Sequence, residues 1–123
     1  MNNKSVDNLK ALRPRFLADE AFRQLRCGDL EGYHRSIAAR TEVDFSYSDL
    51  RGTDMRNADL SKVKLTGAYL RDTDLRGQDL RKHDLDGCSL YHAHISGVWF
   101  PADIAPEEIR LSLEQGTRLR RRQ

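Results

Sequence analysis

The sequence predicts a short solenoid flanked by helices, and three observations carry that prediction. From Val43 to Ala102 the chain repeats every five residues, twelve times, without insertion or deletion. The third residue of every repeat is large and apolar: Phe45, Leu50, Met55, Leu60, Leu65, Leu70, Leu75, Leu80, Leu85, Leu90, Ile95 and Phe100. The pattern stops abruptly on both sides, because one step outward that slot holds Arg40 or Ala105. A period of five fits neither the 3.6 of a helix nor the 2 of a flat strand, so the chain must turn at every repeat. A fixed short period of this kind marks a solenoid.

The flanks read differently. Phe16, Leu17, Ala21, Phe22 and Leu25 recur at helical spacing after Pro14, which suits a first turn, and Gly28 is placed to stop that helix. Asp29 can cap a second helix through Leu30, Tyr33, Ile37 and Ala38. Residues 4–12 are expected to form a further short helix before Pro14. Beyond the repeats, Pro106-Glu107-Glu108 reads as a helix start, with proline at its first position and acids at the positive end of the dipole. That helix runs through Ile109 and Leu113 to Gly116, and an arginine tail follows. The expected organisation is a helical cap (residues 1–42), the repeats (43–102), and a C-terminal helix with a basic tail (103–123). A solenoid end left bare shows a row of unpaired strand N–H and C=O groups that pairs with other chains. Residues 1–42 are therefore expected to cover the first coil. The helix from Pro106 is expected either to cover the last coil or to meet its copy in a second subunit.

Within the repeats the second residue is usually Asp, the fourth is often Arg, and the first is small or β-branched. The cleanest copies are TDLRG (Thr73–Gly77) and ADLSK (Ala58–Lys62). This pattern resembles the pentapeptide-repeat family, over 60 of the 123 residues. The resemblance implies a mainly β chain: a right-handed quadrilateral β-helix of about three coils, four repeats to a coil, flanked by N-terminal helices and a C-terminal helix. Residues 20 apart would then stack in columns, with Phe45/Leu65/Leu85 and Leu50/Leu70/Leu90 as two of the four apolar ones. Aromatics would plug the ends at Phe45 and Phe100. The first residues of the repeats also point inward in such a coil, and Gln78 and His83 are large for that position. Each is expected to turn its polar end to a backbone group or water. Gly52, Gly67, Gly77, Gly87 and Gly97 close repeats at corners and are turn residues, not a phosphate loop.

Charge excludes some functions. Charged residues make up 33% of the chain, with a net charge of +2. In the repeats nine acids meet eight bases. A DNA mimic, the role of family members that act on topoisomerases, needs about one negative charge per 1.7 Å, and these repeats do not supply it. Asp49/Arg51, Asp54/Arg56, Asp74/Arg76 and Asp79/Arg81 instead form a self-neutralising grid. No apolar stretch approaches a membrane span or a signal h-region. Cys27 and Cys88 lack CxxC spacing, so a reduced, cytoplasmic setting is expected. His92 and His94 straddle a corner with no ligand set around them, and no nucleophile elbow, glycine-rich phosphate loop or paired-acid signature occurs. No catalytic, metal or cofactor residue is expected, and the chain reads as a non-enzyme.

Three surfaces remain as candidates. Outward positions on the Leu50/Leu70/Leu90 column include Arg51, Tyr69, Arg71 and Tyr91, and Tyr and Arg are enriched in binding hot spots. This face is the candidate contact for an unidentified protein partner. Ile109 and Leu113 are the candidate contact of a homodimer. Arg118, Arg120, Arg121 and Arg122 are the candidate nucleic-acid contact, and the charge balance argues against nucleic acid elsewhere. Trp99 is outward by register and is expected to lie under the following helix. The function these readings favour is a protein-interaction module or scaffold, with DNA mimicry or tail-mediated nucleic-acid contact as the alternative.

Overall fold

The computed structural model describes residues 13–122. The short helix expected over residues 4–12 lies outside them. Among the described residues there are three helices, α1 (Glu20–Cys27), α2 (Leu30–Ile37) and α3 (Pro106–Gln115), and one parallel strand pair, β1 (Val43–Asp44) with β2 (Val63–Lys64).

The repeats are built mostly of turns. The carbonyl of the third residue accepts a hydrogen bond from the N–H of the next repeat's first residue, as in Thr53 N to Leu50 O (3.1 Å) and Ala93 N to Leu90 O (2.8 Å). That is a four-residue β-turn with the fourth and fifth residues at its centre. Backbone φ is positive at Gly52, Gly67, Gly77, Gly87 and Gly97, and also at Tyr47, Asp72 and His92, all fifth positions. The expectation of a mainly β chain needs correcting here. Only one or two residues per repeat remain between turns, so regular strand is limited to β1–β2 and isolated bridges.

The bridges between repeats are parallel and carry a constant offset. Val43 pairs with Val63, Asp49 with Tyr69, Tyr69 with Ser89, Asp54 with Asp74, Asp74 with His94, and Asp79 with Trp99. Every offset is twenty residues, or four repeats. The apolar third residues sit inside: Phe45, Leu50, Met55, Leu65, Leu70, Leu75, Leu80, Leu85 and Leu90 are all fully buried. Ile95 and Phe100, in the last layer, are only half-buried.

The polar first residues find backbone partners, as expected. Gln78 Nε2 donates to Met55 O (2.6 Å) and Ala58 O (2.8 Å). His83 Nε2 meets Leu60 O at 2.8 Å, but its Nδ1 is buried without a partner. Cys88 Sγ donates to Leu65 O (2.9 Å), and burial pushes its thiol up to about 12.

The N-terminal elements cover the first layer. Asp19 caps α1, accepting from Ala21 N at 2.9 Å, and Gly28 ends the helix at φ 84. Asp29 caps α2, accepting from Gly32 N at 2.9 Å. Phe22 packs edge-on against Phe45 with ring centroids 5.3 Å apart. Tyr33 Oη donates to Asp59 O (2.8 Å), and Lys62 Nζ donates to Ile37 O (3.1 Å).

Contrary to the expectation of a helix beginning at Pro14, α1 begins at Glu20. Arg15 is extended and pairs in parallel with Ser48, and its carbonyl accepts from Asp49 N at 2.7 Å. Phe16 faces solvent while its neighbour Leu17 packs on the core, the alternation of an extended chain. The bare edge of the first layer outcompetes helix propensity in this segment.

The C-terminal elements cover the third layer. Proline opens α3 and Gly116 ends it at φ 75. Ser112 Oγ accepts from Leu90 N (2.8 Å) and Leu113 O accepts from His92 N (3.1 Å). The segment after Gly116 turns back along the layer. Leu119 exchanges hydrogen bonds with Gly87 N and Cys88 O, both at 2.8 Å, and is 1% exposed. The arginine "tail" is thus an added antiparallel edge, with Ser89 bridged to Arg118 and Ile104 to Arg121.

Candidate functional site

A recurrent clasp organises the outer surface. In Asp49/Arg51, Asp54/Arg56, Asp74/Arg76 and Asp79/Arg81 the arginine Nε and Nη2 reach the two carboxylate oxygens of the aspartate two residues before it, at 2.7–3.0 Å. The same carboxylate accepts from the arginine's own backbone N–H, at 3.1–3.2 Å. Bidentate pairing and this turn bond hold all four carboxyls below their ordinary value. The arginine side-chain bonds are the largest cause in all four, and for Asp74 and Asp79 the value falls to about 2. Arg56 also reaches across one layer to Asp74 (3.2 Å).

One fourth-position arginine breaks the pattern. In Ala68–Asp72 the second residue is Tyr69, so Arg71 has no aspartate two residues before it. Its guanidinium lies over the Tyr91 ring instead, 4.7 Å from the centroid, with Asp72 at 3.4 Å on one side. The Tyr91 ring is also stacked on His92 (3.8 Å, 22°). Arg118, from the C-terminal segment, lies 5.3 Å over the Tyr69 ring and donates to its hydroxyl at 2.9 Å. Arg51, Tyr69, Arg71, Ser89, Tyr91 and Arg118 line a shallow groove of about 370 Å³. A second hollow lined by Phe16, Arg26, Arg51, Arg71 and Asp72 continues it toward the N-terminal elements. There Arg26 sits 4.9 Å over Phe16 and donates to Asp49 O at 2.5 Å.

The four residues singled out from sequence, Arg51, Tyr69, Arg71 and Tyr91, thus share one wall. Arg118, Arg26 and Phe16 also belong to it and were not assigned to it from sequence. No period links those flanking residues to the repeats, so no local signal could have placed them there.

The other candidates fall elsewhere. Ile109 and Leu113 pack, half-buried, against the chain's own core, and the exposed apolar residue of α3 is Leu111. Arg120 clasps Glu108 (2.7 and 3.1 Å), and Arg121 pairs with Asp103 (2.7 Å). Arg122 is held through its backbone N–H on Asp103 O (2.7 Å). Trp99 does not lie under α3: it is 60% exposed, with Arg81 5.0 Å over its ring. The clasp explains the difference, since Asp79 holds Arg81 one layer below, where it covers the indole. Among the described residues no group of three or more His, Cys, Asp or Glu could hold a metal ion. No helix among them is long and apolar enough to cross a membrane.

With the twenty-residue register and the repeated turn established, the family comparison is unambiguous. The sequence profile of the pentapeptide repeats matches residues 41–77 and 68–101, in eight copies, and the chain belongs to the pentapeptide-repeat family. No curated protein and no solved structure matches it.

Proposed function

We propose that the protein is a non-catalytic interaction module. Its repeats wind as a right-handed quadrilateral β-helix of three coils, and the wall of Arg51, Tyr69, Arg71 and Tyr91 docks a protein partner. The observation that carries this reading is Arg71. Every other fourth-position arginine is locked into a clasp, whereas Arg71 lies over a tyrosine ring and meets a carboxylate through Nε alone, Asp72 at 3.4 Å. Aromatic rings flanked by arginine are the residue set of binding hot spots. Pairwise neutralisation of the aspartates counts against DNA mimicry. The pairing of Arg120 and Arg121 with carboxylates of the same chain counts against a nucleic-acid tail.

The test is the double substitution Tyr69→Ala/Tyr91→Ala. Partners recovered by pull-down with the wild-type protein should be lost, with the far-UV circular dichroism unchanged. Retention of every interaction overturns the docking wall. A homodimer is a second reading, supported by the half-buried Ile95 and Phe100 in the last layer and by exposed Leu111, which is 41% exposed. Sedimentation equilibrium should then show self-association that deepens with concentration, and a strict monomer at the highest attainable concentration removes the dimer.

A further inference from the structure

Resting on the docking wall just proposed, we infer that the segment it takes is acidic: an extended stretch of a partner protein rich in glutamate or aspartate. The argument is one of charge left over. The repeats as a whole carry nine acids and eight bases, and their clasps cancel charge locally. Along the groove and the hollow that continues it the balance reverses. Arg26, Arg51, Arg71 and Arg118 face only Asp49 and Asp72, a formal charge of +2. Asp49 is buried and shared by Arg51 and Arg26, so its charge is consumed inside the wall. Asp72 touches Arg71 with a single oxygen, at 3.4 Å.

Geometry makes the surplus usable. A guanidinium stacked on an aromatic ring spends its face on the ring and keeps its in-plane N–H fork for a carboxylate. Arg71 and Arg118 lie over Tyr91 and Tyr69, on two successive layers of one wall; Arg118 gives one Nη2 donor to the Tyr69 hydroxyl and Arg71 meets Asp72 through Nε, which leaves the other N–H groups of each for a carboxylate. A carboxylate bridging them would also tie the C-terminal segment, which carries Arg118, to the second layer. Nucleic acid fits this wall less well. Its affinity comes from neutralising many phosphates in a row, and here a surplus of only two charges is interrupted by Asp72.

The experiment is fluorescence anisotropy of the full chain with four labelled probes. These are a peptide alternating glutamate with glycine, the serine and lysine counterparts of that peptide, and a single-stranded oligonucleotide of the same charge as the first. The glutamate peptide should bind most tightly and weaken as salt rises. The variant Arg71→Gln/Arg118→Gln should bind it at least about tenfold more weakly, the loss expected for charge-assisted hydrogen bonds. The variant Arg56→Gln/Arg76→Gln, on the neighbouring face, should bind it as wild type does. Arg118→Gln could loosen the segment that carries it, so Arg71→Gln alone, at an exposed turn position, must show a loss by itself. The proposal is overturned if the serine peptide or the oligonucleotide binds as well as the glutamate peptide. It is equally overturned if the neighbouring-face variant loses as much. Loss of pulled-down partners by Tyr69→Ala/Tyr91→Ala with no preference for glutamate would leave the docking wall standing and remove only the acidic partner.

Discussion

Glycine at the fifth position answers two separate demands, and the two can be told apart by substitution. Gly77 (φ +80) needs the left-handed region but has open space where a Cβ would project. Gly67 (φ +67) needs the same backbone and in addition lies under the Tyr47 ring, into which a methyl group would run. Gly77→Ala should therefore cost about 1–2 kcal/mol, the strain of the left-handed region alone. Gly67→Ala should cost about 1–3 kcal/mol beyond that, for overpacking against the ring. Urea unfolding of both variants measures the difference, and equal costs would mean that the tyrosine simply swings away. Tyr47, Asp72 and His92 occupy the same backbone region with side chains attached. Two of these three flank the Arg71–Tyr91 groove, since Asp72 touches Arg71 and His92 stacks on Tyr91.

Elements at the two ends are shaped by what they cover. The helical spacing of Phe16 to Leu25 is realised only in its second half, within α1. The first half is extended because the Asp49 N–H of the first layer needs an acceptor, which Arg15 O supplies. The same logic turns the arginine run into an edge. Leu119 is the one apolar residue within it, and it is buried with two backbone hydrogen bonds to the third layer. Leu119→Ala should destabilise the fold by about 2–5 kcal/mol. Hydrogen exchange would report it as lost protection at the Gly87 and Leu119 amides, with the Leu70 amide, one layer inward, protected as before. Unchanged exchange at Gly87 would show that the segment is held by its arginines instead, through Asp103 and Glu108.

On the scale of the whole molecule, the clasps make stability depend on acid. Arg76 and Arg81 draw the Asp74 and Asp79 carboxyls from 3.8 to about 2 in the folded chain. A carboxyl whose folded value lies below its unfolded value favours folding fully above the unfolded value. That contribution is lost as pH falls through the folded one. The thermal midpoint should thus be level above about pH 5 and decline between about pH 4 and pH 2. Because these pairs lie at the surface, each contributes little and salt should blunt the slope. Asp79→Asn should shallow the decline, and a midpoint that ignores pH across this window would mean the clasps contribute nothing to folding.

The repeat, its apolar interior, the caps at Asp29, Gly28 and Gly116, and the inward hydrogen bonds of Gln78 and His83 were all legible before any coordinates. Each depends on a local period or on the chemistry of one residue and its immediate neighbours. The odd arginine is legible too, because Tyr69 stands two residues before Arg71 where every other fourth-position arginine has an aspartate. What only the tertiary structure decided is how the non-repeating flanks spend their backbone and charge: Arg15 as an edge bridge, Leu119 as a buried lid, Arg118 laid on Tyr69. Those outcomes are set by unpaired hydrogen-bonding groups of layers far away in sequence, and no spacing within the flanks encodes where such groups will be.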